Sequence, residues 1–182
     1  MIFVSAGHNP GGVKPDPGAI GNGKREADLT LEFRNLVTAE LHKQGAKFIT
    51  DNDNERIGEY LLRIKTGTGS VVLEFHFDAA VSEKATGATV LIEVDACKND
   101  KAFANELLDA TTSLLGIKNR GVLSEAESHR GRLGLMKEEG ILALLEICFI
   151  SNPDDLKAYD KGKFELAQAI ADILIEYEDL IS

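Results

Sequence analysis

The chain has 182 residues, 43% of them hydrophobic, and 30 acidic side chains against 20 basic ones give a formal charge of -10 at pH 7. That length fits one domain spanning residues 1–182, with a core large enough to be flanked by helices. The acidic balance argues against a nucleic-acid backbone or an anionic membrane surface as the main partner. The two cysteines, Cys97 and Cys148, lie far apart, and Cys148 sits in the apolar run ILALLEICFI, so a buried reduced thiol is expected rather than a disulfide framework. The N-terminus, MIFVSAGHNP, has no basic n-region, no long apolar h-region and no cleavage site. No segment approaches the roughly 18 apolar residues of a membrane span. The expectation is a chain made in the cytoplasm without a signal peptide and without membrane insertion.

In chain order, IFVSA reads as a strand, and DLTLEFRNLVTAELHKQG as a helix with Leu29, Phe33, Leu36, Val37 and Leu41 at helical spacing. Between them, residues 7 to 23 hold Pro10, Pro15 and Pro17 with many glycines. A loop this elaborate inside a compact domain usually forms part of a site. The short run KFIT follows as a strand, then ERIGEYLLRIKTG as a second helix, VVLEFHFD and GATVLIEV as strands, and KAFANELLDATTSLLG as a third helix. A polar loop around SEAESHRGRLG, a buried strand ILALLEICF and a final helix from about Asp155 to Glu178 complete the chain. The alternation predicts an α/β fold, a three-layer sandwich with a mostly parallel central sheet flanked by helices.

In such sheets ligands collect at the carboxyl ends of the strands. His8 falls just past the end of the first strand and His76 near the end of VVLEFHFD, so both open onto one edge. Strand alternation puts Val71, Leu73, Phe75 and Phe77 on one face and Glu74, His76 and Asp78 on the other. Glu26 stands where the Gly/Pro loop gives way to helix, and Glu146 is the only charge in ILALLEICF. Two histidines and one carboxylate make the three-ligand set of a catalytic zinc. Glu146 then suits a general base, since a buried carboxylate needs a nearby cation. Each residue also has a plainer reading: His8 capping the Gly-rich turn, Glu26 favouring a helix N-terminus, His76 as a satisfied core residue, and Glu146 paired with Arg130 or Arg132.

The segments SAGHNPGG, DPGAIGNGKREADLTL, VVLEFHFDAA, GATVLIEV, NRGVL and LLEICFISNPDD, in this order and spacing, resemble the zinc-dependent N-acetylmuramoyl-L-alanine amidases of the Amidase_3 family over almost the whole chain. The resemblance implies His8, Glu26 and His76 as ligands of one Zn2+ ion, and Glu146 as the essential catalytic glutamate. It also implies a departure. The family usually places a small residue two before its second histidine and an asparagine two after, where this chain has Glu74 and Asp78. Asp78 is the candidate to orient the imidazole or perturb the water, and a neighbouring Lys or Arg is the plain partner for Glu74. His129, in the polar loop, is a candidate for substrate contact.

The implied reaction is hydrolysis of the amide between N-acetylmuramic acid and L-alanine in peptidoglycan, for cell-wall lysis as by a phage or prophage endolysin. A non-catalytic peptidoglycan-binding zinc module and a zinc peptidase trimming the stem peptide are the alternatives. The run GAIGNGKR nearly spells an NTPase phosphate loop, but Arg25 stands where Ser or Thr must hold magnesium, and no strand leads into it. No exposed apolar stripe stands out, which favours a monomer.

Overall fold

A computed structural model describes residues 1–128 and 133–181. Six strands form one sheet: β1 (Ile2–Ala6), β4 (Phe48–Thr50), β5 (Val71–Asp78), β6 (Ala88–Ile92), β7 (Asn119–Ser124) and β8 (Ile141–Phe149), in the order β4-β1-β5-β8-β6-β7. A separate two-stranded hairpin, β2 (Ile20–Gly21) and β3 (Lys24–Arg25), interrupts the Gly/Pro loop. The first four strands of the sheet order run parallel, whereas β6 pairs antiparallel with β8. The reason is local: residues 79 to 87 join β5 to β6 without a helix, and parallel neighbours need a crossover of a dozen residues or more.

The helices are α1 (Glu26–Lys43), α2 (Ile57–Arg63), α3 (Lys98–Leu115) and α4 (Pro153–Ile181). The larger core lies between the sheet and α1, α3 and α4, where Val71, Leu73, Phe75 and Phe77 of β5 meet Phe33, Phe103 and Tyr159. Phe33 stands edge-on to Phe75, with ring centroids 4.9 Å apart, and Phe77 edge-on to Tyr159 at 5.0 Å. The opposite face carries a smaller core of Phe3, Tyr60, Ile64, Val72, Leu142 and Leu144 beneath α2. That face is therefore not simply polar. It is apolar at the amino ends of the strands and turns polar toward their carboxyl ends, where Glu74, His76 and Glu146 lie buried.

Three expectations need correction. The final helix begins two residues earlier and ends three later than about Asp155 to Glu178, the second helix is only seven residues long, and β7 occupies a stretch that the sequence pattern left unassigned. Cys148 is buried, as expected, Cys97 is exposed, and both are free thiols. Among the described residues no helix is long and apolar enough to cross a membrane.

Candidate metal centre

Every element that carries a site residue delivers it to the carboxyl edge of the sheet. Strand β1 pairs with β5 in the register Ser5↔Glu74 and Ala6↔Phe75, and the chain leaves β1 through Gly7, whose N–H donates to the Phe75 carbonyl at 2.8 Å. His8 follows with φ +67, a left-handed backbone conformation uncommon outside glycine and held here by its surroundings. The loop then folds back: Asn9 and Asp16 exchange backbone hydrogen bonds at 3.0 Å, which brings the Asp16 carboxylate to 2.9 Å from His8 Nδ1. Thr30 of α1 donates to the Gly7 carbonyl at 2.6 Å and so ties the loop to the helix.

Glu26 opens α1, where a carboxylate complements the helix dipole. Its side chain turns inward and is almost wholly buried. Oε1 accepts from the Phe77 N–H at 3.1 Å and lies 2.9 Å from His76 Nδ1, while Oε2 accepts from the Ala19 N–H at 2.8 Å and lies 3.2 Å from His8 Nε2. The His8 and His76 rings meet edge to face with centroids 5.0 Å apart. One donor atom from each of His8, Glu26 and His76 falls within 4.8 Å of the other two. The glycines make room for this: at Gly18, with φ +64, a Cβ would stand 2.6 Å from His8 Cδ2 and 2.7 Å from Glu26 Oε2.

The donor set fits a divalent metal of zinc type: two imidazoles and one carboxylate converging from three segments. His8 Nε2 is buried and, despite its proximity to Glu26, makes no hydrogen bond, so its lone pair or proton points into the cluster. The electrostatics agree. Burial alone would lower the pKa of both histidines, yet Glu26 raises that of His8, and Glu26 with Glu74 pushes His76 up to about 10. Burial would raise Glu26 and Asp16, yet the His76 hydrogen bond and the charge of both histidines hold Glu26, and the His8 hydrogen bond holds Asp16, below the ordinary carboxylate range. All four shifts show a cluster that favours positive charge at its centre.

Glu146 lies on β8 directly beside His76 in the register, and in-register neighbours on parallel strands share a face. It is buried, and its charge is close enough to help raise the His76 pKa. A cleft of about 190 Å³ lined by Asp78, Thr89, Arg120, Ser128 and Glu146 opens on one side, and one of about 550 Å³ lined by Asn9, Arg56, Ile57 and Leu62 opens over His8 and His76.

The two flanks of His76 play different parts. Glu74 Oε1, not Asp78, contacts the imidazole, 2.7 Å from Nε2, and among the described residues no Lys or Arg pairs with Glu74. Past His76 the register with β8 shifts, two residue steps of β5 from His76 to Asp78 running beside three of β8 from Glu146 to Phe149, so the bulge lies on β8. Asp78 is half-buried, accepts from the Ala79 N–H at 2.8 Å and faces the Glu146 cleft. His129 lies outside the described residues. Asp16, which the sequence reading did not single out, sits beside Pro15 and Pro17 in a loop whose return path has no periodic signal. The resemblance to a phosphate loop dissolves: Lys24 pairs with Asp160 at 3.1 Å, and a buried carboxylate occupies the start of the helix.

A mostly parallel α/β sheet with a two-histidine, one-carboxylate cluster at its carboxyl edge defines the class, a fold carrying a candidate metal centre. The Amidase_3 family model, N-acetylmuramoyl-L-alanine amidase, matches residues 2–176, and the chain belongs to that family. It is 26% identical to N-acetylmuramoyl-L-alanine amidase LytC of Bacillus subtilis over 97% of its own length, but spans only 35% of LytC. Uncharacterized protein YqiI of the same organism is 26% identical, with 96% of this chain and 81% of YqiI covered. Among solved structures, a putative N-acetylmuramoyl-L-alanine amidase from Neisseria meningitidis superposes with a TM-score of 0.76 at 27% identity, over 96% of this chain and 93% of that one. An N-acetylmuramoyl-L-alanine amidase from Clostridium difficile 630 shares the fold with a TM-score of 0.78 at 18% identity, over 98% and 96% of the two chains.

Proposed function

We propose that the chain is a zinc-dependent peptidoglycan amidase, with His8 Nε2, Glu26 and His76 Nδ1 holding one Zn2+ ion and Glu146 acting as general base. The observation that carries this reading is the convergence of the three donors from the β1 loop, the start of α1 and the end of β5, with Glu146 in register beside His76. A zinc ion bound there supplies Lewis acidity, polarising a carbonyl and bringing the pKa of a water to about 7.

The rest falls to the chain. Glu146 takes the proton of the attacking water and returns it to the leaving amine of L-alanine, as the lactyl amide of N-acetylmuramic acid breaks. Burial of Glu146 keeps bulk water from competing for that proton. The clefts on the two sides of the centre suit a substrate that extends past the scissile bond in both directions, as a glycan strand with its stem peptide does. In the cell, the reading extends to lysis of the wall.

Glu146→Gln is the test. Release of stem peptides from purified peptidoglycan is abolished while zinc content stays at one ion per chain. Full activity in that variant would sink the assignment.

A further inference from the structure

Each histidine of the cluster turns one ring nitrogen toward Glu26 and the other toward a second carboxylate, Asp16 for His8 at 2.9 Å and Glu74 for His76 at 2.7 Å. The two outer carboxylates differ in setting. The Asp16 side chain is 59% exposed on a loop, whereas that of Glu74 is 7% exposed on a central strand. From this we infer that Glu74 is a positioning residue, which accepts a hydrogen bond from His76 Nε2–H and so fixes the tautomer that leaves the Nδ1 lone pair for the metal. The inference rests on the zinc reading above.

The geometry rules out Glu74 as a ligand of the same ion, because it lies across the imidazole from Glu26 and outside the group of convergent donors. A buried carboxylate costs several kcal/mol unless it is hydrogen-bonded or paired, and Glu74 has only two side-chain partners among the described residues: His76, and the Ser5 hydroxyl on the neighbouring strand, which donates at 3.4 Å. Its position is therefore tied to the imidazole. The ring is confined in turn by Gly7, where a Cβ would come within 2.3 Å of it. A carboxylate on the far nitrogen of a metal-bound histidine fixes the ring and raises its basicity as a ligand. A serine at this position would offer a weaker, neutral acceptor on a shorter arm.

The test compares the wild-type chain with Glu74→Ser and Glu74→Gln by zinc competition against a fluorescent chelator at one fixed pH. Long-range ¹H–¹⁵N spectra of the zinc-loaded proteins read the tautomer of His76. Glu74→Ser should bind zinc about 10- to 100-fold more weakly and shift or lose the His76 Nε2–H signal. Glu74→Gln, whose amide oxygen accepts the same bond, should recover most of the affinity and keep the signal, and it decides the matter alone if the serine variant does not fold. Wild-type affinity in Glu74→Ser, or equal losses in both variants, overturns the inference. A wild-type chain that binds no zinc overturns the zinc reading as well, so the two failures are distinguishable.

Discussion

Replacing Gly7 by alanine adds a single methyl group, and the structure says where it goes. The new Cβ would stand 2.3 Å from both Cε1 and Nε2 of His76 and 2.6 Å from Nδ1. An ordinary contact is about 3.5 Å, so ring and backbone must part by more than about 1 Å. The backbone is held on both sides, since the Gly7 N–H donates to Phe75 and its carbonyl accepts from Thr30. Gly7 also lies outside the left-handed region, so no dihedral strain confounds the effect. The ring yields. Overpacking of this kind costs about 1–3 kcal/mol, less than the roughly 5–15 kcal/mol of a folded domain, and the variant stays folded. A metal site tolerates only about 0.2 Å in ligand distance, and a misplacement near 1 Å costs about 100-fold in rate. Gly7→Ala should therefore keep a cooperative thermal transition while losing zinc, by chelator competition, and at least about 100-fold in kcat/KM on peptidoglycan. Gly67→Ala, with nothing within 4 Å of the added Cβ, is the control. A Gly7→Ala protein with wild-type zinc affinity would refute His76 as a ligand in this geometry.

Other perturbations reach different parts of the account. Arg34 is buried and bonds the Asp51 carbonyl at 2.6 Å, Thr50 Oγ1 at 3.0 Å and Asp53 at 2.5 Å, with the Asp51 carboxylate at 3.3 Å. Arg34→Met strands that carboxylate, whose pKa burial already raises, and should cost about 3–5 kcal/mol, a fall in Tm on the order of 10 °C. In the chelated protein, burial would lower the His76 pKa, but the bonds to Glu26 and Glu74 raise it from 6.5 to about 10. Its contribution is thus fully present below pH 6.5 and lost as pH rises through about 10. The Tm of the metal-free protein should fall across that window, and His76→Gln should flatten the dependence.

Much of this was readable from spacing. Strand alternation identified the apolar face of β5 residue by residue, because a central strand packed under helices has no freedom to slip register. Glu26 was found because the loop signals end where helical periodicity begins. What escaped has local causes. Strand β7 is an edge strand with exposed polar residues at its start, so its composition carries little strand signal. The direction of β6 was implicit in its short helix-free connection, but alternation alone suggested a parallel neighbour. Glu74 and Asp78 both stand two residues from His76, and a period-two pattern gives the face they share but not which of them reaches the ring. Asp16 reaches His8 only because a loop closes on itself through Asn9.

The decisive measurement is digestion of purified peptidoglycan by the wild-type chain, with and without a chelator and after zinc is restored, followed by mass analysis of the soluble products. Intact stem peptides beginning with L-alanine, absent with the chelator and recovered with zinc, are the predicted result. Products trimmed within the stem peptide, or release undiminished by the chelator, would contradict it.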